Sequence, residues 1–206
     1  MPASYLHGTE TIELDIGGRP VQLVKTAVIG LVGTAVAGPV NELTIVSSDR
    51  DFVQFGPHTA NATIPDGLNA IYDQKTTVVQ VINVLDPAKH NSPVTGEPVK
   101  LDASGSATLE HPGVVTSLPM AVKNAKGDAT YKVEADYVLE PISGRLSRVA
   151  SGSMPALASL SIDYSYADPF KVTAADLIGG VDEAGRRTGM QQFQTATARS
   201  SILPRC

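Results

Sequence analysis

Val78-Val79-Gln80-Val81-Ile82-Asn83-Val84-Leu85, closed by Asp86-Pro87, is the strongest strand signal in the chain. A short, nearly continuous apolar run rich in β-branched residues reads as a strand buried on both faces. Proline after Asp86 then ends it. Working backward, residues 23–32 (Leu-Val-Lys-Thr-Ala-Val-Ile-Gly-Leu-Val) read as a second buried strand, closed by Gly33. Leu43-Thr44-Ile45-Val46 is a short strand or an extended approach to a helix. Ser47-Ser48-Asp49-Arg50-Asp51 supplies a cap and first-turn acid for a short helix that Gly56-Pro57 stops. Ile64, Leu68 and Ile71 lie on one face of a helix over 64–72, with Pro65 in its first turn and Thr63 as its cap. Residues 23–87 therefore form a βα(α)β unit with a parallel, right-handed crossover.

Working forward, the character changes to strand and turn over 88–169. Strands are expected at 93–101, 107–109, 130–133, 137–139, 146–149 and 160–166, with hairpin turns at Asn124-Ala125-Lys126-Gly127 and at 140–145. The spacing predicts a small antiparallel β domain inserted into an α/β core. After Asp168-Pro169, Thr173 and Asp176 form a capping box. A helix with Leu177, Ile178 and Val181 on one face follows, stopped by Gly185. Residues 170–206 thus read as a return into the core. One β-α-β unit plus one returning helix is short of strands, so the core is expected to be incomplete, with partner strands from outside.

Residues 1–22 are a polar arm. Within it Thr11-Ile12-Glu13-Leu14-Asp15-Ile16 alternates with period two, and Gly17-Gly18-Arg19-Pro20 breaks the pattern. A terminal strand without a local partner pairs at a distance, across its own domain or on a neighbouring molecule. Thr11, Ile12, Glu13, Leu14, Asp15 and Ile16 are therefore candidates for an inter-subunit strand, with Gly17 and Gly18 as its hinge.

The 206 residues are 42% apolar, enough for a real core, and the formal charge of −5 argues against nucleic acid or anionic membrane as a main partner. The apolar stretch 27–40 is cut by Gly30, Gly33, Gly38 and Pro39, too short to span a bilayer. One cysteine, Cys206, excludes an internal disulfide within the chain.

Candidate chemistry is thin. Gly30-x-x-Gly33-x-x-x-x-Gly38 follows a strand but is neither G-x-G-x-x-G nor a P-loop, so packing glycines are the plainer reading. His7, His58, His90 and His111 have no metal-motif spacing and read as ordinary exposed residues beside turns. Asp49 and Asp51 are explained by a helix start. Asp163 and Asp168, which bracket Tyr164 and Tyr166, read as a strand-to-linker corner. No catalytic, metal or cofactor site is expected. Two rivals remain. One is a nucleotide-binding α/β enzyme built on the 30–38 loop. The other is a carbohydrate- or surface-binding β module, which needs an exposed platform of Tyr131, Tyr137, Tyr164 or Tyr166.

The segments Ser4-Tyr5-Leu6-His7-Gly8, Val24 to Ala35, Ser48-Asp49-Arg50-Asp51 with Phe55-Gly56, Thr63-Ile64-Pro65 with 68–74, and Val84-Leu85-Asp86-Pro87 occur in order. Tyr131, Asp136-Tyr137, Ser143-Gly144, 165–169, 171–179 and Arg187-Thr188-Gly189 continue the series. Together they resemble the N-terminal half of contractile phage tail sheath proteins of the P2/Mu-like and R-type pyocin group, whereas 195–206 departs from that pattern. The resemblance implies a structural subunit in a virion tail, assembled in the bacterial cytoplasm. It implies rings stacked around a tail tube above a baseplate, neighbours joined by strand addition, and contraction that drives the tube through the host envelope. It also implies no cofactor, no nucleic acid and no direct membrane insertion.

Overall fold

The computed structural model describes residues 28–60, 62–74, 78–181 and 183–194. The expected strand Thr11 to Ile16, the hinge Gly17-Gly18, His7 and Cys206 lie outside the described residues. The architecture is mixed α/β, with several antiparallel pairings and short helices.

The first sheet contains β1 (Ile29–Gly33), β2 (Leu43–Val46) and β3 (Val79–Asn83) in the order β1-β3-β2. β1 runs parallel to β3, from Ile29 opposite Val79 to Gly33 opposite Asn83, as a crossover requires. β2 runs antiparallel to β3 on its other side. The apolar run of β3 makes it the central, buried strand. β1, expected to be buried, is half-exposed instead, because among the described residues only β3 pairs with it.

A 3-10 helix, Asp49–Phe55, and α1, Thr63–Asp73, connect β2 to β3. Asp51 accepts the amides of Ser47 (2.8 Å) and Ser48 (3.0 Å), which explains its acid without any ligand. These bonds to the charged form hold its carboxyl below the usual carboxylate range. The residue capping α1 is Ala62, not Thr63. The Thr63 hydroxyl is engaged elsewhere, accepting the Thr34 amide at 3.1 Å. Ile64, Leu68, Val46, Phe55, Val79 and Val81 fuse helix and sheet into one apolar cluster. Each such fully buried side chain contributes roughly 1.5–3 kcal/mol.

Seven strands then form two antiparallel sheets. The first contains β4 (Asn91–Lys100), β6 (Ala121–Asn124), β7 (Thr130–Tyr131) and β10 (Ser159–Ala167), in the order β4-β10-β6-β7. The second contains β5 (Ser106–Thr108), β8 (Tyr137–Glu140) and β9 (Arg145–Arg148), in the order β5-β9-β8. Alternation buries Leu160, Ile162 and Tyr164 of β10 against Val99, Val122 and Leu146, so both sheets enclose a second core. The β4–β10 register slips between Ile162 and Tyr164. The extra residue sits in β4 at Gly96, with φ +69°, whose amide donates to Asp163 at 2.7 Å.

Contacts among the described residues join the two cores. Leu85, Val115 and Ala167 form a small cluster. Val36 lies where a Cβ on Gly113 would come within 3.1 Å of it, and Ile142 lies 3.2 Å from the corresponding point on Gly56. Beyond β10, a 3-10 turn at Pro169–Lys171 leads to α2, Ala174–Ile178. The capping box forms as expected, with Thr173 accepting from the Asp176 amide and Asp176 accepting from the Thr173 amide. The helix nevertheless ends well before Gly185. Gly179, at φ +71°, turns the chain where the Thr188–Gly189 backbone crosses, and a Cβ there would meet Thr188 O at 1.8 Å.

Candidate functional site

The loop after β1 is the first place to look for a ligand, and two of its amides are already occupied. Thr34 donates to the Thr63 hydroxyl (3.1 Å) and Ala35 donates to Asn83 Oδ1 (3.0 Å). Asn83 sits at the end of the buried strand, and its amide group closes the loop from both sides. Its Oδ1 also accepts from Leu85 N (3.0 Å), while its Nδ2 donates to Ala35 O (3.0 Å) and Ala37 O (3.2 Å). The glycines serve close packing. A Cβ on Gly33 would lie 2.4 Å from the Thr63 hydroxyl, one on Gly30 2.9 Å from the Phe193 ring, and one on Gly38 3.0 Å from the Phe55 ring. An anion cradle needs free, convergent N–H groups. This loop leads into β2 rather than a helix, and its Thr34 and Ala35 amides are bonded internally.

The histidines go separate ways. His58 joins Asp66 (2.6 Å) and Asn69 (2.9 Å) on the exposed surface of α1. His111 stacks on Tyr166, ring centroids 4.0 Å apart. His90 corrects the expectation of exposure: it is 3% exposed. Its Nδ1 accepts from Asp86 N at 3.1 Å. The turn residues around it, Pro87 to Lys89, gave no hint that the ring folds inward.

The two acids of the 163–168 corner have separate duties. Asp163 stitches the β4 bulge and pairs with Lys123 at 2.8 Å, bonds that keep its carboxyl below the usual range. Asp168 accepts from Ser92 Oγ (2.6 Å) and from Phe170 N (3.0 Å). Among the described residues, no group of three His, Cys, Asp or Glu is placed to hold a metal ion.

Nor do the tyrosines make a sugar platform. Tyr137 and Tyr164 are buried, and Tyr131 and Tyr166 pack half-buried against the same cluster. Burial and a 2.5 Å bond to Glu97 push the Tyr164 hydroxyl well above the usual phenol range. A cleft of about 720 Å³ lies between the β1–β2 connection and residues 185–192. Among the described residues its charged groups are Glu42, Asp86, Arg186 and Arg187, and its lining includes no serine, cysteine or histidine.

What remains is surface. Among the described residues β1 and β2 each pair only with β3, so the outer edges of both are open to a further strand. The return segment adds an apolar face: Phe170 is 78% exposed, Ile178 58% and Val181 56%, with Leu177 and Met190 also outward. The sequence pattern puts Leu177, Ile178 and Val181 on one helix face; in the structure α2 ends at Ile178 and, among the described residues, none of the three is buried.

No family model matches the chain. Over 196 residues it is 50% identical to the tail sheath protein of Burkholderia phage BcepMu, a match that takes in 94% of this chain and 40% of that protein. The chain is a relative of phage tail sheath proteins. It spans 40% of the length of this sheath relative. The resemblance seen in the sequence segments from Ser4 to Gly189 is thereby borne out.

Proposed function

We propose that this chain is the N-terminal half of a contractile tail sheath subunit, which polymerises around a tail tube and contracts to drive it through a host envelope. The observation that carries the reading is the 50% identity over 196 residues to a tail sheath protein. The work is mechanical: free energy is held in contacts between subunits, not in covalent chemistry. In this reading 1–22 is an arm whose strand, Thr11 to Ile16, adds to a neighbouring subunit about the Gly17-Gly18 hinge. Residues 23–87 are the first part of the sheath core, 88–169 an inserted β domain, and 170–206 the return into that core. The open edges of β1 and β2 and the exposed Phe170, Ile178 and Val181 support a core completed by further polypeptide. The partners are further sheath subunits, the tail tube and the baseplate, and the site of action is the virion tail.

The test is a chimera in which this chain replaces the matching segment of the BcepMu sheath protein. Deleting residues 1–18 from it should leave a folded protein that no longer forms rings or tubes by electron microscopy. Tubes in normal yield from the deletion would end the strand-exchange reading.

A further inference from the structure

Two chain segments cross between the two cores, outward at 86–91 and back at 166–172. They are paired at Asn91–Ala167, and Asp168 N donates to His90 O at 2.9 Å. Just past this neck, Asp176 gathers groups from both passages. Its carboxylate accepts from the Thr173 amide (2.9 Å), the Thr173 hydroxyl (2.6 Å) and Lys89 Nζ. These bonds, the lysine's first, hold its carboxyl far below the usual range. His90 Nε2 lies 3.5 Å from Asp176 Oδ2, a close approach without hydrogen-bond geometry. Because His90 Nδ1 accepts from Asp86 N, the ring proton is assigned to Nε2, the nitrogen that faces Asp176.

We propose that Lys89, His90 and Asp176 form a latch that fixes α2 to the base of the neck, so that the exposed apolar return segment is held rigidly and not as a loose strap. α2 has only five residues and buries none of them, so neither helix propensity nor its own packing accounts for its order. Its second mooring lies further along the chain, where Gly189 N donates to Asn41 Oδ1 at 2.9 Å. An exposed Lys–carboxylate pair alone contributes little. Here Lys89 is largely exposed, while the Asp176 and His90 side chains are 13% and 4% exposed, so the latch works as a network with a half-sequestered carboxylate at its centre.

The test is hydrogen exchange of the 206-residue chain, wild type against Asp176→Asn, His90→Gln and Lys89→Met. Asparagine keeps the oxygen that caps Thr173 and faces His90 but puts an uncharged amide where Lys89 needs an anion, which separates the lysine's ion pair from the helix cap. The latch predicts slowed exchange at Leu177, Gly179 and Thr188 in the wild type. It predicts a loss on the order of tenfold in Asp176→Asn and a smaller loss in Lys89→Met, with Val122, Leu146 and Ile162 unchanged. Unprotected wild-type amides at 177–179, or protection unaltered in both Asp176→Asn and Lys89→Met, overturns it. If the buried His90→Gln variant does not fold, the other two variants still decide the question. The latch stands or falls independently of whether the subunit polymerises.

Discussion

Replacing Asn83 with alanine should remove the polar pin that holds the loop after β1. The Asn83 side chain makes four hydrogen bonds, to Ala35 N, Leu85 N, Ala35 O and Ala37 O, at 3.0–3.2 Å, and the residue is 1% exposed. Alanine leaves two buried N–H groups, on Ala35 and Leu85, without the acceptor they now share. At about 1–3 kcal/mol for each buried group left unsatisfied, the loss is roughly 2–6 kcal/mol, a large part of a typical domain's stability. Urea unfolding followed by circular dichroism measures it directly. Asn83→Asp makes a sharper variant, because it keeps Oδ1 but sets a second carboxylate oxygen against Ala35 O and Ala37 O. Burial raises that carboxyl's folded pKa, so this variant should be most stable at acid pH and lose stability as the pH rises. A loss below about 0.5 kcal/mol for Asn83→Ala would show that water or another group already satisfies the loop. That result would also return the 30–38 loop to the list of possible anion sites.

Further outcomes follow from single contacts. Tyr164→Phe removes the hydroxyl that donates to Glu97 and accepts from His111 N, and should cost about 1–2 kcal/mol in urea unfolding. Because the folded phenol titrates above its unfolded value of 10.0, wild-type stability should be intact below that pH and fall as the pH rises past it, with a shallower fall in Tyr164→Phe. Asp51, Asp102, Asp136, Asp163 and Asp176 are all shifted below 3.8, so the stability they contribute is present above that pH and is lost as the pH falls through their folded values. Asp163→Asn should flatten the acid limb of a stability–pH curve. Gly113→Ala, at φ +76° with Val36 3.1 Å from the new Cβ, should cost about 1–2 kcal/mol and lower the thermal midpoint.

The strands of this chain were legible wherever local pattern alone decides them. Val79–Asn83, the Asn124 turn, the turn over 140–145 and the alternation of Leu160 to Tyr164 all appear where period and turn residues put them. Sheet order was less legible, because the antiparallel return of Leu43–Val46 onto β3 depends on pairing across a long stretch of sequence. The misread helix end near Gly179 has the same cause: the Thr188–Gly189 crossing that stops it is a tertiary event, so Leu177 and Val181 kept helical spacing without a helix beneath Val181. Asn83 went unread in the strand run, although a polar residue between Ile82 and Val84 signals a buried amide that must find partners. His90 carried no such signal, since nothing in Lys89-His90-Asn91 sets which way the ring turns. The candidate assembly surface was not legible, because it is set by which side chains the fold leaves outside.

The most direct measurement is negative-stain electron microscopy with sedimentation velocity on the chimera that carries this chain in place of the matching 196-residue segment of the BcepMu sheath protein. Rings or tubes like those of the unaltered sheath protein are the predicted result. A chimera that folds but stays monomeric, under conditions in which the unaltered protein assembles, would contradict the account.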